Sequence, residues 1–174
     1  MPSPIYLIGA RGCGKTTVGQ TLAQAMGFVF CDTDHHLYET SGKTVAEIVA
    51  EEGWAGFRRR ESASLVAVTA ADHVIATGGG MVLAAENRQF MREQGRVIYL
   101  CASAAVLAAR LSSNPEDAQR PTLTGRPITE EVAEILAERD ALYRQSAHYI
   151  VDASQAPDMV VKQIMTQLQH EASQ

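Results

Sequence analysis

Near its start the chain reads Gly9-Ala10-Arg11-Gly12-Cys13-Gly14-Lys15-Thr16, which places two glycines, a lysine and a hydroxyl at the spacing G-x-x-x-x-G-K-[ST]. An apolar run, Ile5 to Ile8, precedes it, and a helical pattern carried by Val18, Leu22, Ala23 and Met26 follows. In that strand–loop–helix setting the glycines let the backbone bend until several N–H groups face one anion. The positive end of the following helix adds to the same field. The chemistry this suits is the grip of a nucleotide's phosphates. Lys15 is predicted to reach the β- and γ-phosphates, and the Thr16 hydroxyl to bind Mg²⁺.

Other residues carry compatible chemistry, each with a plainer alternative. Asp32 and Asp34 straddle one residue at the end of an apolar run. One carboxylate suits Mg²⁺, directly or through water, and the other can take a proton or hydrogen bond from a substrate hydroxyl. Capping of the next helix is the alternative. Gly78-Gly79-Gly80 marks a backbone that either turns tightly or lies close to something. Arg139 falls on the apolar stripe Val132, Ile135, Leu136, Leu142 and Tyr143, so its guanidinium either faces inward onto an anion or snorkels to water. Arg58 and Glu61, three apart, form either a fixed fork for a substrate carboxylate or a solvated pair. Arg120, beside Pro121, can neutralise charge on a closing loop. Arg110 ends a helix and can lie flat on an adenine ring, or simply cap that end.

These residues must be positioned by a small number of elements. Apolar runs at Ile5–Ile8, Phe28–Cys31, Val74–Ala76, Val97–Cys101 and Tyr149–Val151 read as strands buried on both faces, with helices between them. Such alternation predicts a parallel, doubly wound α/β sheet with ligands at the carboxyl ends of its strands. Thr44-Val-Ala-Glu47 is a capping box opening a helix that Gly53 and Gly56 interrupt. Ser112 to Pro127 lacks periodicity and reads as a lid or insertion.

At 174 residues, 46 % apolar and 20 % charged, the chain suits one domain with a sizeable core. A net charge of −5, with Arg58-Arg59-Arg60 the only basic run, argues against nucleic acid. The 3 cysteines are scattered and the 5 histidines have no ligand spacing, so neither a disulfide framework nor a transition-metal site is expected. No signal segment and no apolar run near ~18 residues is present, and a cytoplasmic protein with no membrane partner is expected.

Taken together, Gly9–Thr16, Asp32-Thr33-Asp34, Phe57-Arg58-x-x-Glu61, Thr77-Gly78-Gly79-Gly80, Arg120-Pro121 and Arg139-x-x-x-Tyr143-Arg144 resemble the shikimate kinase family over almost the whole chain. Thr44-Val-Ala-Glu-Ile and Trp54-Ala-Gly-Phe look closest to its enterobacterial type 2 members. The resemblance implies a P-loop, nucleoside-monophosphate-kinase-like three-layer fold with strand order 2-3-1-4-5. It implies an acceptor region around residues 34–61, a lid around 112–126, and an adenine-side loop near Asp152 to Pro157. MgATP would then sit on Gly12, Cys13, Gly14, Lys15, Thr16 and Thr17, with Arg110 and Arg120 alongside and Thr16 and Asp32 in the metal shell. Shikimate would be held by Asp34, Arg58, Gly79, Gly80 and Arg139. The catalytic set would be Lys15, Asp34 and Arg120, in a monomer acting on ATP and shikimate. Two rivals remain: a different small-molecule kinase such as a gluconate kinase, and a non-catalytic nucleotide-binding relative.

Overall fold

A computed structural model describes residues 2–113 and 126–172. Five strands, β1 (Ile5–Ile8), β2 (Val29–Asp32), β3 (His73–Ala76), β4 (Arg96–Cys101) and β5 (Tyr149–Asp152), pair in parallel in the order β2-β3-β1-β4-β5. Helices fill the connections: α1 (Lys15–Met26), α2 (Thr33–Ser41), α3 (Val45–Val68), α4 (Ala85–Gln94), α5 (Ala104–Ser112), α6 (Ile128–Ser146) and α7 (Pro157–Ala172). The chain steps one way across the sheet from β1 to β2 and the other way afterwards. Right-handed crossovers therefore put α1 on one face, where α7 joins it, and α4 and α6 on the other. This is the doubly wound α/β architecture and strand order expected.

The apolar runs divide by position. β1 is wholly buried and β4 buried except at its ends, and they lead the main core with Leu22, Val74, Ile75 and Ile164. β2 and β5, at the edges, correct the expectation that all five runs are covered on both faces: Val29 is 54 % exposed and Ile150 46 %. An edge strand has a neighbour on one side only, so apolar composition there does not secure burial.

A second, smaller core of Leu37, Ile48 and Phe57 lies under α2 and α3, with Trp54 packed on it. The Thr44 hydroxyl accepts from the Glu47 N–H at 3.1 Å, and the Glu47 carboxylate accepts from the Thr44 N–H at 3.1 Å, closing the capping box. Gly53 breaks the helix at φ 73°, ψ 176°, while Gly56 stays helical. Beyond the break, Phe57 joins the small core with Trp54 packed on it, and the Arg58 guanidinium reaches Gly80 after β3. No helix among the described residues is long and apolar enough to cross a membrane.

Candidate active site

The carboxyl ends of β1, β2 and β3 enclose a cleft of about 300 Å³ lined by Lys15, Thr16, Asp32, Asp34, Gly79 and Arg110, among others. The loop after β1 forms one wall. Gly12 (φ 86°) and Gly14 (φ 96°) take left-handed backbone there, which a Cβ disfavours. Gly14 is the N-cap of α1 and contributes no side-chain hydrogen bond, and no acidic residue stands in the helix's first turn. The N-terminal amides are thus left for an anion, with no negative side chain to oppose it.

Within this wall Lys15 Nζ spans the loop, donating to the Gly9 carbonyl at 2.5 Å and the Ala10 carbonyl at 3.1 Å. Thr16 and Thr17 line the cleft, whereas the Cys13 thiol turns into the core, 1 % exposed. Arg110 donates to the Gly12 carbonyl at 3.2 Å and to the Ala153 carbonyl at 2.6 Å. It is therefore more than a helix-end charge: its edges are pinned between the phosphate loop and the loop after β5.

Asp32 caps α2 and also reaches the phosphate loop. Its Oδ1 accepts from the Asp34 N–H at 2.9 Å and the His35 N–H at 3.3 Å, capping α2, while Oδ2 accepts from the Thr16 hydroxyl at 3.2 Å. One residue thereby starts the helix that carries Asp34 and faces the phosphate loop. No cluster of three or more His, Cys, Asp or Glu occurs among the described residues. One hydroxyl and one carboxylate oxygen side by side fit an ion such as Mg²⁺, which takes much of its shell from water and phosphates.

The opposite wall is built on the glycine triplet, which does turn, the Gly78 carbonyl accepting from the Met81 N–H at 3.1 Å, but close approach explains why its residues are glycines. None of Gly78, Gly79 and Gly80 has a positive φ. A methyl on Gly80 would collide with the Arg58 guanidinium, and one on Gly78 would collide with the Glu61 carboxylate and stand 3.1 Å from Asp34 Oδ1. At Gly79 it would meet Arg139 Nη1 at 3.8 Å. The strip of bare backbone thus gathers two guanidinium groups and two carboxylates.

Arg58 is held from three sides. Its Nη1 donates to Glu61 Oε1 at 3.1 Å, and its Cζ lies 5.4 Å from the Trp54 ring centre and 5.3 Å from that of Phe57. Glu61 is 1 % exposed, which rules out a solvated surface pair. Arg139 is 8 % exposed and so faces inward, beside the phenol of Tyr143. That phenol donates to the Gly79 carbonyl at 2.7 Å. Burial raises the Tyr143 hydroxyl well above its usual pKa, with Arg139 partly opposing the rise.

Arg120 and Pro121 lie outside the described residues. Arg11 is a site residue the motif reading passed over: it lines the cleft, with its backbone N 3.7 Å and its Cγ 3.8 Å from where a Gly79 methyl would stand. Its signal was a charged residue at a variable position of the phosphate loop.

The arrangement sets a loop built for anions across a cleft from a strip of glycine backbone that carries two guanidinium groups. The profile of the shikimate kinase family matches residues 11–169. The chain belongs to the shikimate kinase family. It is 68 % identical over 168 residues to shikimate kinase 2 of Erwinia tasmaniensis, covering 97 % of each chain. It is 58 % identical over 173 residues to shikimate kinase 2 of Pectobacterium carotovorum, covering 99 % of this chain and 100 % of that one. Among solved structures, the family's Acinetobacter baumannii member in complex with shikimate superposes with a TM-score of 0.91 at 35 % identity, over 98 % of this chain and 95 % of that one. A gluconokinase from Sinorhizobium meliloti, at 18 % identity and a TM-score of 0.59, covers 99 % of this chain and 94 % of its own and shares the fold alone.

Proposed function

We propose that this chain transfers the γ-phosphoryl group of ATP to the 3-hydroxyl of shikimate, giving 3-phosphoshikimate and ADP in the route to chorismate and the aromatic amino acids. The observation that carries this reading is the convergence of Arg58 and Arg139 on Gly79 and Gly80, across the cleft from the phosphate loop. Two guanidinium groups at one point suit a carboxylate, and a carboxylated ring alcohol gripped there would present a hydroxyl to Asp34.

In this reading Lys15 exchanges its loop carbonyls for β- and γ-phosphate oxygens. Thr16 and Asp32 hold Mg²⁺, which supplies charge neutralisation on the phosphates. Asp34 orients the acceptor hydroxyl and takes its proton as the new O–P bond forms and the β,γ-bridging bond breaks. Residues 12–17 hold the triphosphate, Arg110 faces the adenine, and Arg120 arrives with the 112–126 lid to exclude water and neutralise charge. Most of the rate enhancement is then positioning and electrostatics, with no covalent intermediate. The enzyme works as a cytoplasmic monomer of one domain, with residues 34–61 as its acceptor region.

A coupled assay of ADP release tests the proposal. With Mg²⁺ and ATP, shikimate should raise ADP release by orders of magnitude, while gluconate and other hydroxy acids should not. ADP release indifferent to shikimate would reject it and restore the non-catalytic reading.

A further inference from the structure

We propose that Tyr143 is a positioning residue, fixing the Arg139 guanidinium and the Gly79 peptide relative to one another and thereby setting the acceptor subsite. This rests on the acceptor reading given above. Arg139 and Tyr143 stand four apart on α6, so their side chains share a face one turn from each other. The phenol is the place where that helix meets the glycine strip. It donates to the Gly79 carbonyl at 2.7 Å, and the Arg139 guanidinium stands beside the phenol, its Nη1 3.8 Å from where a Gly79 methyl would be. A phenol has one proton to give and lone pairs to receive, so it can serve both partners at once.

The consequence for Gly79 follows from peptide geometry. No peptide bond here is cis, so holding the Gly79 carbonyl against Tyr143 points the Gly80 N–H the opposite way. Backbone bonds from Met81 N–H to the Gly78 carbonyl and from Leu83 N–H to the Gly80 carbonyl, each 3.1 Å, hold the ends of this segment, and the phenol takes the carbonyl of the peptide between them. Arg139 also needs holding, because a long guanidinium side chain loses rotamer freedom when it is aimed. One hydroxyl thus orients two groups on the same subsite.

The ring that carries the hydroxyl is itself held. Tyr143 stacks on Tyr99 with centroids 4.9 Å apart at 29°. The Tyr99 hydroxyl donates to Asp140 Oδ1 at 2.8 Å, and Arg144 Nε donates to Asp140 Oδ2 at 2.8 Å. Packing alone would be met equally well by phenylalanine, since a buried phenol is costly unless its hydroxyl is used. Tyr143 is 1 % exposed and its hydroxyl is used on the site.

The test is Tyr143→Phe, which keeps the ring and its stack, with Tyr99→Phe as a control that removes a hydroxyl of the same stack bonded to Asp140 and not to Gly79. Tyr143→Phe should raise the shikimate KM about tenfold, leave the ATP KM within about twofold and change kcat little, while Tyr99→Phe moves neither KM. An unchanged shikimate KM in a folded Tyr143→Phe enzyme overturns the proposal. So does a uniform loss of kcat together with a lowered Tm, which marks a merely structural role. If the wild-type enzyme is inert toward shikimate, the acceptor reading falls by itself. Positioning is then judged on the crystal structure of Tyr143→Phe, where a displaced Arg139 and rotated Gly79 carbonyl support it and unmoved groups overturn it.

Discussion

The Arg58 guanidinium rests on the α-carbon of Gly80 with no room for a methyl between them. Gly80 has φ −95° and ψ 7°, a backbone any residue can adopt, so the glycine answers to its neighbour rather than to its own conformation.

Gly80→Ala should therefore fold normally and displace Arg58 from its place beside Glu61. Losing one charge-assisted carboxylate contact corresponds to roughly 1.5–3 kcal/mol, or about ten- to a hundredfold in shikimate KM. The ATP KM should stay within about twofold. Steady-state kinetics with each substrate varied in turn decides it, and an unaltered shikimate KM would show that Arg58 does not bind the acceptor.

Asp32→Asn separates the capping of α2 by that residue from its proposed place in the metal shell. Asparagine caps a helix about as well as aspartate, so α2 and the overall Tm should hold. The negative charge beside Thr16 is lost, and we expect the Mg²⁺ concentration for half-maximal activity to rise by roughly tenfold or more, with a fall in kcat on the order of 10²-fold. A Mg²⁺ titration that superposes on the wild type would remove Asp32 from the metal shell.

For stability, the informative site is the capping box of α3. Thr44→Ala removes the hydroxyl that accepts from the Glu47 N–H. The expected loss is about 1 kcal/mol, a Tm decrease of roughly 2–4 °C in a chain of this size. Because the helix is interrupted at Gly53, Arg58 should keep its geometry and the shikimate KM its value. Calorimetry and kinetics on the same preparation check both halves.

His148 gives the protein an acid-side weakness. Its Nδ1 accepts from the Val97 N–H at 2.9 Å. Burial lowers its pKa below 6.5, the charges of Arg92 and Arg96 add to the shift, and Glu171 opposes them. A base whose folded pKa is depressed binds its proton more readily when unfolded. The stability it contributes is thus fully present above pH 6.5 and is lost as pH falls toward the folded value. The Tm should drop as pH falls below 6.5, and His148→Asn, which can still accept from Val97, should flatten that drop. Parallel curves for the two proteins would exclude this origin.

How much of this was legible depended on how local each feature is. The phosphate loop is written in consecutive residues whose types dictate its backbone, so it could be read outright. The strand order could not: spacing gave parallel alternation, and only the resemblance supplied 2-3-1-4-5. The edge strands were misread because apolar composition carries no information about which strand lacks a neighbour. Periodicity placed Arg139 on the stripe but could not separate burial from snorkelling. The decision lies with Tyr143 and Gly79, which are 64 residues apart in the chain. Arg11 and the dual use of Asp32 were hidden for the same reason: each depends on which loops the sheet brings side by side.

The small core of Leu37, Ile48 and Phe57 stands apart from the large one beneath the phosphate loop. The partition is not complete, because Leu65 and Val68 near the end of α3 belong to the large core while Ile48 and Phe57 of the same helix belong to the small one. The stretch of α3 beyond Gly53 is thus a strut between the two cores, and a substitution that loosens the small one would be felt at the sheet through that single run of helix.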